Sequence, residues 1–577
     1  MQRISGVTVR LFAAAALALA TTACAGARDA RRAPRIVYDL LITGGRIVDG
    51  TGSPSVAGDL AVVGDRIVAI GPPGNADEGA GARDTIDARG FVVAPGFIDM
   101  LGHSEFRLLA DGGALSKITQ GITTEITGEV TSVVPASARP RAERRREIAP
   151  WGVTYTWNDL DGYFRTLEER GTAINLGTWV GLSSLWLHGV GPEDRRPTLA
   201  EMRAMEEALA AAMEQGSFGL SSGLAYAPGR YATTDEIARL AGVTAAGGGI
   251  YATHMRSEGD GLLDAIAEGI AVSERSGAPV LIHHLKASGR GNWGRMTEAV
   301  AAIQAARDRG VDVMASVYPY TASSTGLDAI LPAWAQGPTP EETLALLRDP
   351  ALRDSLETFL SGVTAAGQPE LATSAGGAAG VQISDMIADS LARYEGMRLD
   401  AVASARGQSP AAALIDLLVA DDLRSSAIYF SMDELDLVTA LRQPWTMIAS
   451  DAGARELDGP LSTDTPHPRA FGTFPRILCR YVREQGVLTL EEAVRRMTSL
   501  PASRAGLAER GALGRGLYAD IVVFDPASVC DRATFEHPER ISVGIEHVIV
   551  NGVAVLRDGT PTGERPGRGL RFRGTGR

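Results

Sequence analysis

The middle of the chain alternates short apolar runs with amphipathic helical segments. Examples are "EMRAMEEALAAAMEQG" followed by "FGLSSG", and "GLLDAIAEGIAVSERSG" followed by "PVLIHHL". Strands that alternate with helices form parallel sheets, because each helix returns the chain to the same end of the sheet. Repetition of this unit over about 400 residues predicts an α/β fold, most economically a (β/α)8 TIM-type barrel with insertions.

Both ends of the chain have a different pattern. β-Branched runs alternate with glycine turns in "DLLITGGRIVDG" and "GDLAVVGDRIVAIG", and again in "ADIVVFDP" and "IEHVIVNGVAVLRDG". This texture predicts a small β-sandwich domain built from residues 37–93 and 500–572, with the barrel, residues 94–499, inserted between its halves. Within the barrel, residues 332–397 are rich in Pro, Gly and Ala and predict an insertion that is a lid or is disordered.

The first residues predict export. Arg3 and Arg10 precede an apolar stretch, residues 11–20, that is followed by small residues up to Cys24. This is the layout of a secretory signal peptide, residues 1–24. The apolar stretch is too short for a membrane span, which needs about 20 apolar residues. The end resembles a bacterial lipobox, with Thr21 where leucine is usual. We therefore expect a periplasmic or outer-membrane lipoprotein anchored at Cys24, with a simply cleaved secreted protein as the alternative.

Charge and cysteine content exclude several other roles. A net charge of −13 and a pI near 5.3 argue against a nucleic-acid partner or a polybasic membrane surface. Membrane contact is therefore expected only through the anchor. Besides Cys24, the chain has only Cys479 and Cys530, which we interpret as buried small apolar residues rather than a disulfide or metal ligands.

Histidines at strand ends indicate a metal site. The chain has only eight histidines, and "IYATHMRSEGD" places His254 at the end of one apolar run. "PVLIHHLKASG" places His283 and His284 at the end of the next, about one βα unit later. Ends of neighbouring parallel strands converge on the barrel mouth, which favours a metal pair over separate hydrogen-bonded histidines. Because side chains alternate along a strand, only one of His283 and His284 is expected to point inward.

A carboxylate occupies the same kind of position near the last βα unit. In "WTMIASDAG", Asp451 follows four apolar or small residues. A carboxylate there can bind a metal and accept the proton of the water that attacks a carbonyl carbon. The alternative is that Asp451 only forms a turn from strand to loop.

Ten segments in one order carry a resemblance to a known family: "DLLITGGRIVDGTG", "APGFID", "ITQGITTEITGE", "FGLSSGLAYAPG", "YATHMRSEGD", "HHLKASG", "YPYTASST", "IASDAG", "HPRAFGTFPRIL" and "GLYADIVVFDP". The chain resembles, from about residue 39 to 571, the D-aminoacylase (N-acyl-D-amino-acid deacylase) branch of the amidohydrolase superfamily. The resemblance implies a metal-bearing (β/α)8 barrel beside a β-sandwich, in which zinc activates water to hydrolyse an N-acyl bond.

The resemblance also implies roles for individual residues. His254 and His284 match histidines that hold zinc, and Asp451 matches the catalytic acid. Five residues would surround the substrate and its carboxylate: Lys286, Arg256, Tyr226, Tyr318 and Ser324. The alternatives are barrel packing for the tyrosines, an ion pair with Glu258 for Arg256, and a rim position for Lys286.

Departures from the family pattern indicate a reduced metal site. The family's first strand has His-x-His, and here Leu101 replaces the first histidine while His103 keeps the second. Val130 stands where the family has a metal-binding cysteine, and a one-residue shift would let Glu129 supply a carboxylate instead. We therefore expect one Zn2+ per chain, held by His254, His284 and Glu129. His103 would be an auxiliary ligand or a polar group near the reacting carbonyl.

The leading hypothesis is an exported, metal-dependent hydrolase of N-acyl-D-amino acids or related linear amides, which uses zinc-activated water. One alternative is an amidohydrolase acting on another amide, a cyclic imide or a dipeptide. The other is a catalytically degenerate lipoprotein that binds a small ligand. The sequence leaves open the acyl group, the side-chain and stereochemical preference, the metal count and the oligomeric state.

Overall fold

The structure is a computed structural model that describes residues 37–74, 81–361, 375–462 and 465–574. The predicted signal peptide and Cys24 lie outside the described residues. Among the described residues, no helix combines the length and apolar character that a membrane crossing requires.

The fold contains 21 strands within the described residues, and the α-helices lie mainly between the strands of the middle region. In chain order the strands are β1 (Val37–Ile47), β2 (Val56–Val63), β3 (Arg66–Gly71), β4 (Gly81–Asp87), β5 (Val92–Pro95), β6 (Phe97–Gly102), β7 (Ile122–Thr127), β8 (Asn175–Thr178), β9 (Val180–Gly181), β10 (Gly219–Gly223), β11 (Ile250–His254), β12 (Val280–Ile282), β13 (Val313–Val317), β14 (Ser323–Gly326), β15 (Val381–Asp385), β16 (Ser426–Tyr429), β17 (Thr446–Ile448), β18 (Ile521–Phe524), β19 (Ile545–Val550), β20 (Val553–Arg557) and β21 (Thr560–Pro561). The α-helices of the described residues span Arg107–Ala110, Leu115–Ile118, Ala138–Ile148, Leu160–Arg170, Leu182–Gly189, Leu199–Glu214, Thr234–Ala246, Leu262–Ser276, Met296–Asp308, Pro340–Arg348, Pro350–Ser361, Leu399–Arg406, Pro410–Ala420, Glu434–Leu441, Arg469–Arg476, Leu490–Met497 and Ser499–Arg504.

Local sequence explains where two of the barrel helices begin. Thr198 caps the helix Leu199–Glu214 and forms a capping box with Glu201. Thr233 and Glu236 do the same for the next helix, Thr234–Ala246. Each box pairs backbone N–H groups that the first turn of a helix otherwise leaves without partners.

The barrel in the described residues has eight parallel strand positions, one of which is shared by β8 and β9. Pairing runs from β6 through β7, β8, β9, β10, β11, β12 and β13 to β17, with β8 and β9 separated only by Trp179. Between β17 and β6, the amide of Asp451 donates to the carbonyl of Leu101 at 2.8 Å. Gly102 also bridges Ala452 in parallel. The predicted (β/α)8 barrel is confirmed, and its closing seam lies at Leu101 and Asp451.

The two chain ends form one nine-stranded sheet. Its order is β21-β20-β19-β18-β5-β1-β2-β3, with β4 paired to β1. β18 from the C-terminal part pairs antiparallel with β5 from the N-terminal part. Alternation along β18 sends Val522 and Phe524 into the core of the barrel, while Ile521 and Val523 join the core of the β domain. One face of β18 therefore packs against the barrel and the other face packs within the β domain.

The insertion into the barrel is wider than the predicted span 332–397 and is structured. β14, β16 and β15 form a three-stranded antiparallel sheet that begins at Ser323 and ends at Tyr429. A separate hydrophobic core that includes Leu347, Ile383 and Leu418 packs beneath this sheet. Residues 362–374 lie outside the described part of the chain.

The interpretation of Cys479 and Cys530 as free apolar residues is wrong. Their sulfurs form a disulfide, and their Cα atoms lie 4.9 Å apart although 51 residues separate them in the chain. Cys479 lies in a π-helical segment, Ile477–Glu484, and Cys530 lies just beyond β18. The bond therefore ties a barrel helix to the β domain.

Candidate metal centre

The predicted histidines meet at the mouth of the barrel. His254 is the last residue of β11, whereas β12 ends at Ile282 and His283 and His284 lie beyond it. The backbone of His284 has a φ of 34°, in the left-handed region that residues other than glycine rarely adopt. This turn breaks the strand alternation, so the expectation that only one of the two histidines faces inward is wrong.

One carboxylate oxygen of Glu129 lies close to all three histidines of this cluster. This atom, Oε1, lies 3.0 Å from Nε2 of His284 and 3.2 Å from Nδ1 of His283. The same atom lies 3.7 Å from Nδ1 of His254. Burial opposes ionisation of Glu129, but hydrogen bonds with the three histidines hold the pKa of its carboxyl well below the usual range. Glu129 is therefore an anion surrounded by imidazoles.

The donor set fits a divalent metal. Glu129, His254 and His284 each offer one ligand atom, and these atoms all lie within 4.8 Å of one another. Two imidazole nitrogens and one carboxylate oxygen are a set found in catalytic zinc sites, which keep a further position for water or substrate. His103, Glu129 and Asp451 form a second group with the same spacing. The two groups share Glu129.

Asp451 lies beside this cluster, between the imidazole of His103 and the guanidinium group of Arg469. Its Oδ1 atom is 3.0 Å from Nε2 of His103, and its Oδ2 atom is 2.7 Å from Nη1 of Arg469. Burial favours the neutral acid, but Arg469 and His284 hold the pKa of the Asp451 carboxyl below its usual range. Asp451 is thus ionised and oriented on both of its oxygens.

His284 is oriented from behind by a second carboxylate. Its Nδ1 atom lies 2.8 Å from Oε1 of Glu258, which also pairs with the ammonium group of Lys286. Burial disfavours the Glu258 anion, yet Lys286 holds the pKa of that carboxyl below its usual range. Nδ1 of His284 also lies 2.8 Å from the ammonium nitrogen of Lys286, so Glu258 and Lys286 together orient the far side of the ring. Lys286 is 3% exposed and therefore lies within the site, not on its outer rim.

The two tyrosines predicted to bind substrate border the histidine cluster. The ring of Tyr226 lies 4.9 Å from the ring of His254, and its hydroxyl lies 3.0 Å from Oγ1 of Thr325. The ring of Tyr318 lies 6.5 Å from the ring of His284. Both rings therefore lie beside the two histidines that the proposed metal site uses.

Ser324 and Arg256 have different surroundings. Ser324 lies on β14, and its carbonyl accepts a hydrogen bond from Nη2 of Arg469 at 3.2 Å. Arg256 forms a two-fold ion pair with Glu268, with both N–O distances 2.9 Å. The guanidinium group also donates to the carbonyls of Arg230 and Ala232. The structure does not bring Arg256 to the cluster, and its partner is Glu268, not Glu258.

Arg469 and His467 were not singled out from the sequence. Arg469 is 6% exposed and lies over the ring of Tyr318 at 4.7 Å. Nε2 of His467 bonds to the carbonyl of Ala322 at 3.0 Å, and Nδ1 accepts from the amide of Arg469 at 3.0 Å. Burial and Arg469 hold the pKa of His467 well below its usual range. The segment "HPRAFGTFPRIL" contributes to the resemblance, but only the tertiary contacts reveal what these two residues touch.

Comparisons with known proteins agree with this geometry. The sequence pattern of the Amidohydrolase family matches residues 84–556. N-acyl-D-glutamate deacylase of Alcaligenes xylosoxydans xylosoxydans is 38% identical over 535 residues, 92% of this chain and 96% of that protein. D-aminoacylase of the same organism is 37% identical over 535 residues, 92% of this chain and 97% of that protein.

A solved structure extends the likeness to three dimensions. N-acyl-D-glutamate deacylase from Bordetella bronchiseptica was crystallised with zinc and a phosphonate inhibitor that mimics the tetrahedral intermediate. It superposes with a TM-score of 0.77 at 36% identity, over 92% of this chain and 99% of that one. The chain therefore belongs to the amidohydrolase family, in the branch of the D-aminoacylases and N-acyl-D-amino-acid deacylases, as its motifs predicted.

Proposed function

We propose that this protein hydrolyses the N-acyl amide bond of N-acyl-D-amino acids or related linear amides. The observation that carries the proposal is the cluster of Glu129, His254 and His284 at the barrel mouth, with the ionised Asp451 beside it. Relatives that cover nearly the whole chain are deacylases of N-acyl-D-amino acids, which supports the same class of substrate.

We propose one Zn2+ per chain, held by Glu129, His254 and His284. The metal, when bound, supplies Lewis acidity that lowers the pKa of a water molecule and polarises the amide carbonyl. Leu101 is apolar and 1% exposed, so the first strand offers only His103 to a second ion. The second donor group, His103, Glu129 and Asp451, shares Glu129 with the first, which supports a single ion.

Asp451 performs the proton transfers in this proposal. Its carboxylate accepts the proton of the attacking water and returns it to the amine nitrogen as the C–N bond breaks. His103 hydrogen-bonds one carboxylate oxygen and Arg469 forms an ion pair with the other, which limits the orientations open to the carboxylate. The positive charge of Arg469 also keeps Asp451 ionised between turnovers.

The substrate's carboxylate would lie near Lys286, with the hydroxyls of Tyr226, Tyr318 and Ser324 around it. The rings of Tyr226 and Tyr318 lie beside His254 and His284, which supports a position for the scissile amide between these rings and the proposed metal site. Arg256 has no part in this proposal, because its donors bind Glu268 and two backbone carbonyls.

We propose that the mature protein is an exported lipoprotein attached at Cys24. The disulfide between Cys479 and Cys530 supports export, because such bonds persist mainly in oxidising compartments. Labelling cells with an alkyne-tagged palmitate tests the anchor. Label on the wild-type protein and none on Cys24→Ser would support it, whereas an unlabelled wild-type protein would indicate simple secretion.

A substrate panel tests the activity. Matched N-acetyl-D- and N-acetyl-L-amino acids, a hydantoin and a dipeptide are incubated with zinc-supplied protein that lacks residues 1–24. We expect release of free D-amino acid from N-acetyl-D substrates and its loss in Asp451→Asn. Turnover of only the hydantoin or the dipeptide would replace the proposed substrate class, and no turnover with any compound would favour a ligand-binding protein.

A further inference from the structure

The backbone of Asp451 is in an unfavourable conformation. Its φ is 51°, in the left-handed region where the Cβ atom of an L-residue crowds the backbone. Such conformations persist only where the surrounding contacts enforce them, and they concentrate at functional sites. The residues on either side of Asp451, Ser450 and Ala452, both contact the side chain of Lys117.

The ammonium group of Lys117 binds the residues on either side of Asp451. Its Nζ atom lies 2.9 Å from Oγ of Ser450 and 2.7 Å from the carbonyl oxygen of Ala452. The side chain is completely buried, with a relative exposure of 0%. Three N–H donors on one tetrahedral centre can therefore hold the turn on both sides of the strained residue.

Two buried carboxylates complete the site around Lys117. Nζ lies 2.9 Å from Oδ2 of Asp99 and 3.2 Å from Oε2 of Glu125. Asp99 in turn accepts from the amide of Ser450 at 2.9 Å, and a further short hydrogen bond joins its carboxylate to the Ser450 hydroxyl. The residue just before Asp451 is thus held through both its backbone and its side chain.

Glu125 connects the same ammonium group to the strand end that carries His103. Its two oxygens accept from the amide of Ser104 at 3.1 Å and from the hydroxyl of Ser104 at 2.8 Å. The Ser104 hydroxyl accepts from the amide of Ala454 at 2.7 Å. A Cβ atom at Gly102 would lie 1.8 Å from Oε1 of Glu125, so glycine is required for this approach.

We propose that Lys117 is a positioning residue that sets the catalytic geometry of Asp451 relative to His103. Its contacts are with Asp99, Glu125, Ser450 and Ala452, so it acts through the two segments that it joins. Burying an ammonium group with two carboxylates rarely adds more stability than apolar packing would. We therefore infer that this charged network serves to hold the backbone around Asp451 in one conformation.

The inference rests on the proposed role of Asp451, and its test compares three variants. Lys117→Met removes the ammonium group, and Ser450→Ala removes one of its contacts with little change in volume. Arg510→Met is the matched control, because Arg510 forms a similarly buried ion pair with Asp520, just before β18 of the β domain. The readouts are kcat, KM, zinc content and the midpoint of thermal unfolding, with a crystal structure of each variant.

Lys117→Met is expected to lower kcat about 100-fold, because misplacing a catalytic group by about 1 Å lowers the rate by about that factor. Ser450→Ala removes only one of the contacts and is expected to lower kcat about 10-fold. KM and zinc content should stay within about three-fold, since Glu129, His254 and His284 make none of these contacts. Arg510→Met should lower the unfolding midpoint and leave kcat unchanged. In the crystal structures Asp451 should leave the left-handed region only in the variants at Lys117 and Ser450.

The proposal is overturned if Ser450→Ala, folded and with full zinc, keeps the kcat of the wild-type protein and the position of Asp451. It is equally overturned if Arg510→Met lowers kcat as far as Lys117→Met does, because the effect would then follow stability alone. If the wild-type protein turns over no compound of the panel, the proposed function fails. The crystal structures of the variants still decide whether Lys117 positions Asp451.

Discussion

Oε1 of Glu129 lies 3.0 Å from Nε2 of His284. These residues stand 155 positions apart in the chain, one after β7 and the other after β12. Only closure of the barrel brings them together, and His254 joins them from the end of β11. The same carboxylate therefore links three strand ends at the barrel mouth, where its oxygen and imidazole nitrogens of His254 and His284 could hold a metal ion.

Replacing the carboxylate of Asp451 should separate proton transfer from metal binding. Asp451→Asn keeps the shape and one acceptor oxygen, so we expect zinc content near that of the wild-type protein. We expect kcat to fall by about 100- to 10,000-fold, the range seen when a general acid–base group is lost. Steady-state kinetics with metal analysis on the same sample checks this. Loss of zinc together with activity would make Asp451 a necessary ligand instead.

Restoring histidine at position 101 should restore a second metal position. Leu101 lies on β6, and its carbonyl already accepts from the amide of Asp451 at 2.8 Å. An imidazole there would stand two residues before His103 and next to Asp451 across the seam, so it could join the group of His103, Glu129 and Asp451 around a second ion. We expect Leu101→His to bind close to two zinc ions per chain where the wild-type protein binds about one. Leu101→Met is the control for volume, and equal zinc content in all three proteins would contradict the account.

The disulfide should contribute to stability without setting the chemistry. The chain-entropy relation gives about 4 kcal/mol for a loop closed across 51 residues. We expect the double variant Cys479→Ser with Cys530→Ser to unfold at lower denaturant concentration, with kcat unchanged at 25 °C. Unfolding midpoints measured with and without a reductant check this. A wild-type midpoint that does not respond to complete reduction would show that the bond adds nothing.

Glu456 should make the protein less stable as the pH rises. Burial raises the pKa of its carboxyl from 4.5 to about 7, and Asp111 and Asp458 add repulsion. Between these pH values the folded chain binds more protons than the unfolded chain, so this group's contribution to stability is largest below pH 4.5 and is lost towards pH 7.

The variant Glu456→Gln tests this dependence, because it keeps an acceptor for the amide of Leu115 but cannot ionise. We expect its unfolding midpoint to exceed that of the wild-type protein at pH 8 by more than at pH 5. A difference that stays constant with pH would mean that Glu456 titrates as an ordinary exposed carboxyl does.

Periodicity alone predicted the barrel, since the alternation of apolar runs and helices is a local property of the chain. It also predicted that His254, His284 and Asp451 lie at strand ends, because the apolar runs stop there. The inward position of His283 was missed, because the alternation rule assumes a continuous strand and β12 ends at Ile282.

Contacts between distant segments could not be predicted in the same way. The disulfide joins residues 51 positions apart, and no local pattern marks either cysteine. Arg469 reaches Asp451 from the start of its own helix, and Lys117 reaches the same turn from below. Such side chains look like ordinary charged residues in the sequence, and only the folded chain shows that they are buried.

The metal content of Glu129→Ala tests the central claim most directly. Each protein lacks residues 1–24, is prepared with zinc available and is analysed by mass spectrometry. The comparison includes the wild-type sequence and Glu492→Ala, which removes a carboxylate that pairs with Arg495 and Arg496 on the helix Leu490–Met497. We predict about one zinc per chain in the wild-type protein and in Glu492→Ala, and none in folded Glu129→Ala. A wild-type protein without zinc, or a Glu129→Ala protein that keeps its zinc, would contradict the account.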